Sequence, residues 1–323
     1  MKPQYTGLVG DVGGTNARFA LLDGEHRVRN LHIYPAANYA SLSDIIGDYL
    51  ERTLGRNKRP PRAVIAAAGP VLDGEIEFTN LDWRVSEGDL LAQFEFEAVR
   101  LINDFAAQAL ACPLLGADAL KPLGPQMQAP ADCPMLVLGA GTGFGVAGLA
   151  RSERGDMAVA TEGGHAGFAP SDDVEVEIWS QFRTRYGRVS IERILSGQGL
   201  FELYGVLAAM KQAEAPLTDE KAVYEAATKG DPLASETLDR FCGILGSVAG
   251  DLALSFGARG GVFVSGGIAP RMADRLASGD FRARFEAKGR LEPYLKPIPT
   301  SLVVHPYPAI IGAARELGMM ERL

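Results

Sequence analysis

With 323 residues, 47% hydrophobic and 22% charged, the chain has the balance of a globular protein, and its length favours two domains with a ligand cleft between them. There are 32 basic residues against 40 acidic ones, a net charge of −8, and no long basic run that could follow a phosphodiester backbone, so nucleic acid is not an expected partner. Cys112, Cys133 and Cys242 show no CxxC spacing, which gives neither a disulfide framework nor a zinc site and fits a reducing cytoplasm.

The chain opens "MKPQYTGLVG" and runs straight into an apolar strand, so neither a signal peptide nor a DNA-binding module is expected before it. Strands are predicted over Thr6 to Asp11, Asn16 to Leu22 and around Arg29 to Tyr34. A helix from Ser41 to about Leu54 follows, with Leu42, Ile45, Ile46, Tyr49 and Leu50 at helical spacing. "PRAVIAAAGPVL" and "AVRLIND" read as further strands, and this alternation indicates an α/β domain.

Cys112 to Pro134 reads as a proline-punctuated loop containing a domain boundary. Beyond it, "PMLVLGAGTGFGVAGLA" is the longest uncharged stretch. Its five glycines among 17 residues would weaken a helix by about 1 kcal/mol each, so it predicts strand, turn and strand, not a membrane span. It repeats the organisation of "YTGLVGDVGGTNARFALLDG", which points to two related halves. Helices are predicted over Gly199 to about Lys211, Asp219 to Lys229 and Pro232 to Phe256. A strand then ends in the turn of "GGVFVSGGIAP", and a final strand and helix lie in "SLVVHPYPAIIGAARELG".

The first glycine turn admits two readings. A plain hairpin uses positive backbone angles at Gly13 and Gly14 but leaves Asp11 and Thr15 without a purpose. A phosphate cradle uses the turn amides and the Thr15 hydroxyl to hold an anion and Asp11 to help hold magnesium. Three such turns at strand ends favour the cradle. A P-loop is absent, and the formal GxGxxG at Gly143 to Gly148 continues into a strand pattern where a dinucleotide site would open a helix.

Elsewhere, Asn103 and Asp104 stand where a strand gives way to a helix, as a helix cap or as a general base with a neighbouring amide that holds a hydroxyl. Glu162 and His165 fall in the glycine-rich "TEGGHAGF", a solvated loop or a pair of sugar-hydroxyl ligands. Glu192 lies just inside a helix start at Ser190, where acidic residues are common.

The motifs "GDVGGTNARFAL", "LINDF", "GAGTGFGVA", "EGGHAGFAP", "GRVSIERILSG" and "GGVFVSGGIAPR", in this order, resemble those of bacterial glucokinases of the proteobacterial type. These belong to the superfamily of actin, Hsp70 chaperones and sugar kinases. The resemblance implies a two-domain, actin-like (ribonuclease H-like) α/β fold with a ligand cleft. A small domain of residues 1–114 would be completed by a C-terminal helix over about 306–323, and a large domain would span 115–305. It implies ATP-dependent phosphorylation of D-glucose at the 6-hydroxyl, the entry to glycolysis, by a cytoplasmic homodimer.

By the same resemblance Gly10, Asp11, Val12, Gly13, Gly14 and Thr15 form the first phosphate turn and Gly139, Gly141, Thr142 and Gly143 the second. Gly266 and Gly267 form the adenosine turn. Asp11 would act on Mg2+ through water. Asn103, Asp104, Glu162, His165 and Glu192 would bind glucose, with Asp104 as the base. The related ROK kinases carry a cysteine-rich zinc motif that this sequence lacks, so no structural zinc is expected. A kinase for another hexose or amino sugar, a non-catalytic sugar sensor and a chaperone-like ATPase remain as alternatives, as do ADP and polyphosphate as donors.

Overall fold

A computed structural model describes residues 5–78, 81–153 and 155–320; the first four residues of the opening stretch and the last three of the expected 306–323 helix lie outside these. The chain divides into two compact units, Met1–Leu115 with Met157–Ala160 and Pro306–Leu323, and Gly116–Asp156 with Thr161–His305.

In the first unit, β1 (Tyr5–Val12) and β2 (Asn16–Asp23) form an antiparallel hairpin, extended by β3 (Val28–Pro35). Helix α1 (Leu42–Leu54) starts where the Ser41 hydroxyl accepts the Asp44 amide, and its apolar stripe packs on the sheet against Phe19 and Leu21. β4 (Arg62–Ala67) returns parallel to β1. A small ribbon of β5 (Val71–Leu72), β6 (Glu75–Glu77) and β7 (Arg84–Ser86) follows, then α2 (Glu87–Phe94). β8 (Ala98–Asn103) runs parallel to β4 and passes directly into α3 (Asp104–Ala111), giving the order β3-β2-β1-β4-β8.

In the second unit, the stretch expected as a loop contains a short strand, β9 (Leu120–Pro122). β10 (Met135–Ala140) and β11 (Phe144–Ala150) form the expected hairpin, so Gly143 to Gly148 runs into a strand and opens no helix. After β12 (Met157–Thr161), all but its last residue grouped with the first unit, come α4 (Asp173–Tyr186), α5 (Ile191–Ile194), α6 (Gly197–Met210), α7 (Glu220–Thr228) and α8 (Pro232–Phe256). β13 (Gly261–Ser265) lies parallel to β10. Short helices α9 (Ala273–Ser278), α10 (Phe281–Glu286) and α11 (Glu292–Leu295) lead to β14 (Thr300–Val303), parallel to β13 and antiparallel to β9. Beside α8, a fully buried Glu175 is neutralised by Arg284 and Arg240.

Both sheets share one plan. The first strand of a hairpin has its return strand on one side and two parallel strands on the other: β2-β1-β4-β8 and β11-β10-β13-β14.

The last helix, α12 (Pro308–Met320), belongs to the first unit. Ile310, Ala313 and Leu317 pack on Val9, Ala20, Leu22 and Val64, the sheet face opposite α1. α12 meets α3 so closely that a Cβ at Gly312 would stand 1.7 Å from the Ala107 carbonyl oxygen. The Arg315 guanidinium donates to the Leu110 carbonyl at 2.9 Å. The helix that begins with Asp104 is thereby held by α12 at its middle and near its C-terminal end.

Candidate active site

In the first unit the parallel strands β1, β4 and β8 end in register, Val12 opposite Ala67 and Ala67 opposite Asn103. With strands about 4.8 Å apart, this brings Asp11 and the Asn103–Asp104 pair to one edge of the sheet, roughly 10 Å from each other. It is the carboxyl edge, where open α/β sheets bind ligands.

The turn between β1 and β2 closes with the Gly13 amide on the Asn16 carbonyl at 3.0 Å, and the Ala36 amide holds the Thr15 carbonyl at 2.9 Å. Contrary to the hairpin expectation, neither Gly13 nor Gly14 has a positive φ. This closure does not require a left-handed residue. A Cβ at Gly13 would meet nothing nearer than the Asn16 oxygen at 3.7 Å, so neither angle nor internal packing calls for glycine there. What the glycine leaves is room in front of the turn. Gly14 and Thr15 are exposed, whereas Gly10 and Val12 are buried within β1 and shape the turn only through the backbone.

Asp11 faces Arg18 across the hairpin, with Arg18 Nη1 3.0 Å from Asp11 Oδ2. Burial pushes the Asp11 carboxyl above its usual range, and the charge and hydrogen bond of Arg18 offset only part of that. Arg18 Nε is itself buried without a hydrogen-bond partner, among the described residues one of few such atoms. Sequence reasoning passed over Arg18; the register that sets it opposite Asp11 was the available signal.

At the other end of this edge, Asn103 is the helix cap. Its Oδ1 accepts the Ala106 amide at 3.0 Å and its Nδ2 donates to the Gly69 carbonyl at 3.1 Å. Asp104 occupies the first turn, and its Oδ1 accepts the Phe105 amide at 2.9 Å. The two alternatives for this dipeptide therefore separate: Asn103 caps, and Asp104 is not needed to do so.

In the second unit the two remaining glycine turns adjoin. Gly139 pairs with Ser265 across β10 and β13, and the Ile268 amide donates to the Ala140 carbonyl at 3.2 Å. Gly266 has φ +88°, an angle that favours glycine. Gly141 and Gly267 have open space where a Cβ would be.

The segment carrying Glu162 and His165 turns against β11. Thr161 Oγ1 donates to the Val146 carbonyl at 2.8 Å and accepts the Gly163 amide at 3.2 Å. A 3-10 turn over Gly163–His165 sets Glu162 and His165 side by side, 3.9 Å apart and more than half exposed. Arg188 donates to the His165 carbonyl at 2.6 Å, and the Ile191 amide to the Ala166 carbonyl at 2.9 Å, which joins this turn to the start of α5. Glu192, in α5, accepts the Phe144 amide at 2.8 Å. Glu162, His165, Glu192 and both glycine turns are thus tied to the same hairpin, while Asp11, Asn103 and Asp104 share the edge in the first unit.

A family model described as Glucokinase matches residues 8–319. The chain belongs to the glucokinase family. Its family identity makes it an ATP-dependent glucose kinase. A glucokinase of Caulobacter sp. (strain K31) is 48% identical over 311 residues, covering 95% of this chain and 94% of its own. The crystal structure of a glucokinase from an Antarctic psychrotroph superposes with a TM-score of 0.87 at 37% identity, covering 97% of this chain and 98% of that one. A ROK family glucokinase from Streptomyces griseus, solved in complex with glucose and AMPPNP, shares the fold at 20% identity and a TM-score of 0.61, with 95% and 97% covered.

For this glucokinase-family chain the donor set fits a magnesium ion that arrives with the nucleotide. Among the described residues no group of three or more metal-ligating side chains gathers, so phosphate oxygens and waters would have to supply most ligands. Asp11 offers a carboxylate whose burial is only partly compensated by Arg18, and a second cation would complete that compensation.

Proposed function

We propose that the chain transfers the γ-phosphoryl group of ATP to the 6-hydroxyl of D-glucose, with Asp104 as general base. The bond from the sugar O6 to phosphorus forms as the β–γ bridging bond breaks. The O6 proton passes to the Asp104 carboxylate, and the bridging electrons leave with ADP. Asn103, Glu162, His165 and Glu192 hold the other hydroxyls, which each offer a donor to a fixed acceptor. The turns at Gly10–Thr15 and Gly139–Gly143 receive the phosphates, the turn at Gly266–Gly267 receives the adenosine, and Arg18 supplies a fixed positive charge beside Asp11. Magnesium, when bound, neutralises charge on the transferred group, and Asp11 would hold it through water.

The observation that carries this reading is the arrangement at the end of β8: Asn103 supplies the cap of α3, and Asp104 stands next to it in the first helical turn at the carboxyl edge of the sheet. We take the first unit as the small domain expected over about residues 1–114 and 306–323, to which it adds Met157–Ala160, and the second as the large domain of 115–305. Cytoplasmic location is supported by three free cysteines. The homodimer rests on family resemblance, and sedimentation tests it.

The deciding assay compares glucose, mannose, fructose and N-acetylglucosamine as acceptors with ATP, ADP and polyphosphate as donors. Glucose 6-phosphate from glucose and ATP is the expected main product. Equal ATP turnover without any sugar would favour a chaperone-like ATPase instead.

A further inference from the structure

The turn between β10 and β11 is held at both shoulders from outside its own hairpin. The Gly141 amide closes the turn on the Gly143 carbonyl at 2.8 Å, and the Gly141 carbonyl accepts the amide of Gly197, the first residue of α6, at 2.9 Å. On the far side the buried Phe144 gives its amide to Glu192 Oε2 at 2.8 Å. A Cβ at Gly143 would stand 2.4 Å from the same Oε2, so any larger residue there would have to push the carboxylate off this bond. Glu192 and the exposed Thr142 also line one small polar cavity of about 100 Å³, together with Arg193 and Ser196.

From this geometry we infer that Glu192 is a positioning residue for the nucleotide as well as a sugar ligand: its carboxylate holds the Gly141–Phe144 turn in the shape that receives phosphate. The inference rests on the functional reading above, which gives that turn to the nucleotide. It makes one side chain the physical link between hexose and nucleotide. A bare sugar ligand would leave nucleotide binding untouched when no sugar is present.

Charge and tether oppose each other at this position. A carboxylate near phosphate repels it, whereas an acceptor on the Phe144 amide orders the turn. Glu192→Gln keeps an acceptor oxygen and removes the charge; Glu192→Ala removes both. With Mg-AMPPNP and no sugar, Glu192→Gln is expected to bind as well as wild type or better. Glu192→Ala should bind about tenfold more weakly than Glu192→Gln, the scale of one hydrogen bond to a charged or polar acceptor. Amide exchange at Phe144 should be at least tenfold faster in Glu192→Ala than in Glu192→Gln, a readout independent of the nucleotide.

A second variant keeps the inference falsifiable if Glu192→Ala folds poorly. Gly143→Ala should displace the carboxylate, speed Phe144 exchange and weaken Mg-AMPPNP binding, and it should do much less of either when Glu192 is already alanine. Equal nucleotide affinity in Glu192→Ala and Glu192→Gln overturns the inference, and so does unchanged Phe144 exchange. A wild-type chain that binds no Mg-AMPPNP would instead overturn the functional reading, and the inference with it.

Discussion

Asn103 Oδ1 accepts the Ala106 amide at 3.0 Å, and this bond, not Asp104, starts the helix at the end of β8. Replacing Asp104 is therefore a test of chemistry more than of folding. Asp104→Asn retains an oxygen for the Phe105 amide and a group that can meet the sugar, but it cannot take a proton. It should lower kcat by ~10²-fold or more while glucose affinity stays nearly unchanged. Stability should change far less than turnover, because Asn103 keeps the cap and asparagine keeps an acceptor for the Phe105 amide. Calorimetric binding and turnover on one preparation check this, and a normal kcat would sink the base assignment.

Arg18 lies 3.0 Å from Asp11 and keeps a buried Nε without a hydrogen-bond partner. Arg18→Met should weaken Mg-AMPPNP binding by about tenfold or more, as expected for a lost charge-assisted contact, and leave glucose binding intact. Excess chelator should abolish formation of glucose 6-phosphate. Activity undiminished by chelation would contradict the part given to Asp11.

Asp172 caps α4 and faces Arg240 and Arg284. Burial raises its pKa, but the Glu175 amide and the two guanidinium groups outweigh that and hold the carboxyl below its ordinary range. A depressed folded-state value stabilises the fold above the unfolded pKa, about 3.9, and the contribution is lost as pH falls through the folded value. The side chain is 40% exposed, so screening limits the effect to about 1 kcal/mol or less. Asp172→Asn keeps the cap and removes the charge. Its melting temperature should fall below wild type at neutral pH and converge with it towards pH 3; a constant gap across that range would refute the linkage.

Two glycines of α12 give a matched pair. A Cβ at Gly312 would stand 1.7 Å from the Ala107 carbonyl, whereas one at Gly318 would meet only His26 at 3.6 Å. Gly312→Ala should cost about 1–3 kcal/mol by forcing α12 and α3 apart, and it should lower kcat because α3 carries Asp104. Gly318→Ala should be neutral or stabilising by up to about 1 kcal/mol. Denaturant unfolding of both variants checks the contrast, and equal stabilities would remove the claim that this contact positions α3.

Much of this architecture was legible in the sequence where periodicity and punctuation agree. α1 follows its apolar spacing from the Ser41 cap, and α8 runs from its proline to Phe256 as expected. Two kinds of feature escaped. Helix α4 was not anticipated because its pattern is inverted by tertiary charge pairing: Glu175 is buried against Arg284 and Arg240 while Val176 is exposed. α6 begins at Gly197, earlier than its glycines advise, because the Ser196 hydroxyl caps it by accepting the Gly199 amide at 3.0 Å. At the site, the residue types at Asp11, Asn103, Asp104 and Glu192 were visible, but their partners were not. The bonds from Glu192 to Phe144 and from Arg18 to Asp11 depend on how strands and loops return in space, and local pattern carries little of that.

The seating of α12 on α3 also sets an order of assembly. Arg315 and Leu110, which it joins, are 205 positions apart in the chain. On a ribosome adding roughly 5–20 residues per second, α3 waits for about 10–40 seconds before its partner is made. Through that interval Ala107 has no α12 to cover it, and the nascent chain carries Asp104 on a segment not yet fixed in place. The second unit's residues, translated in between, can fold first. A stop codon or a protease cut shortly before Pro308 would therefore spare most of the polypeptide and still leave the proposed base without its support.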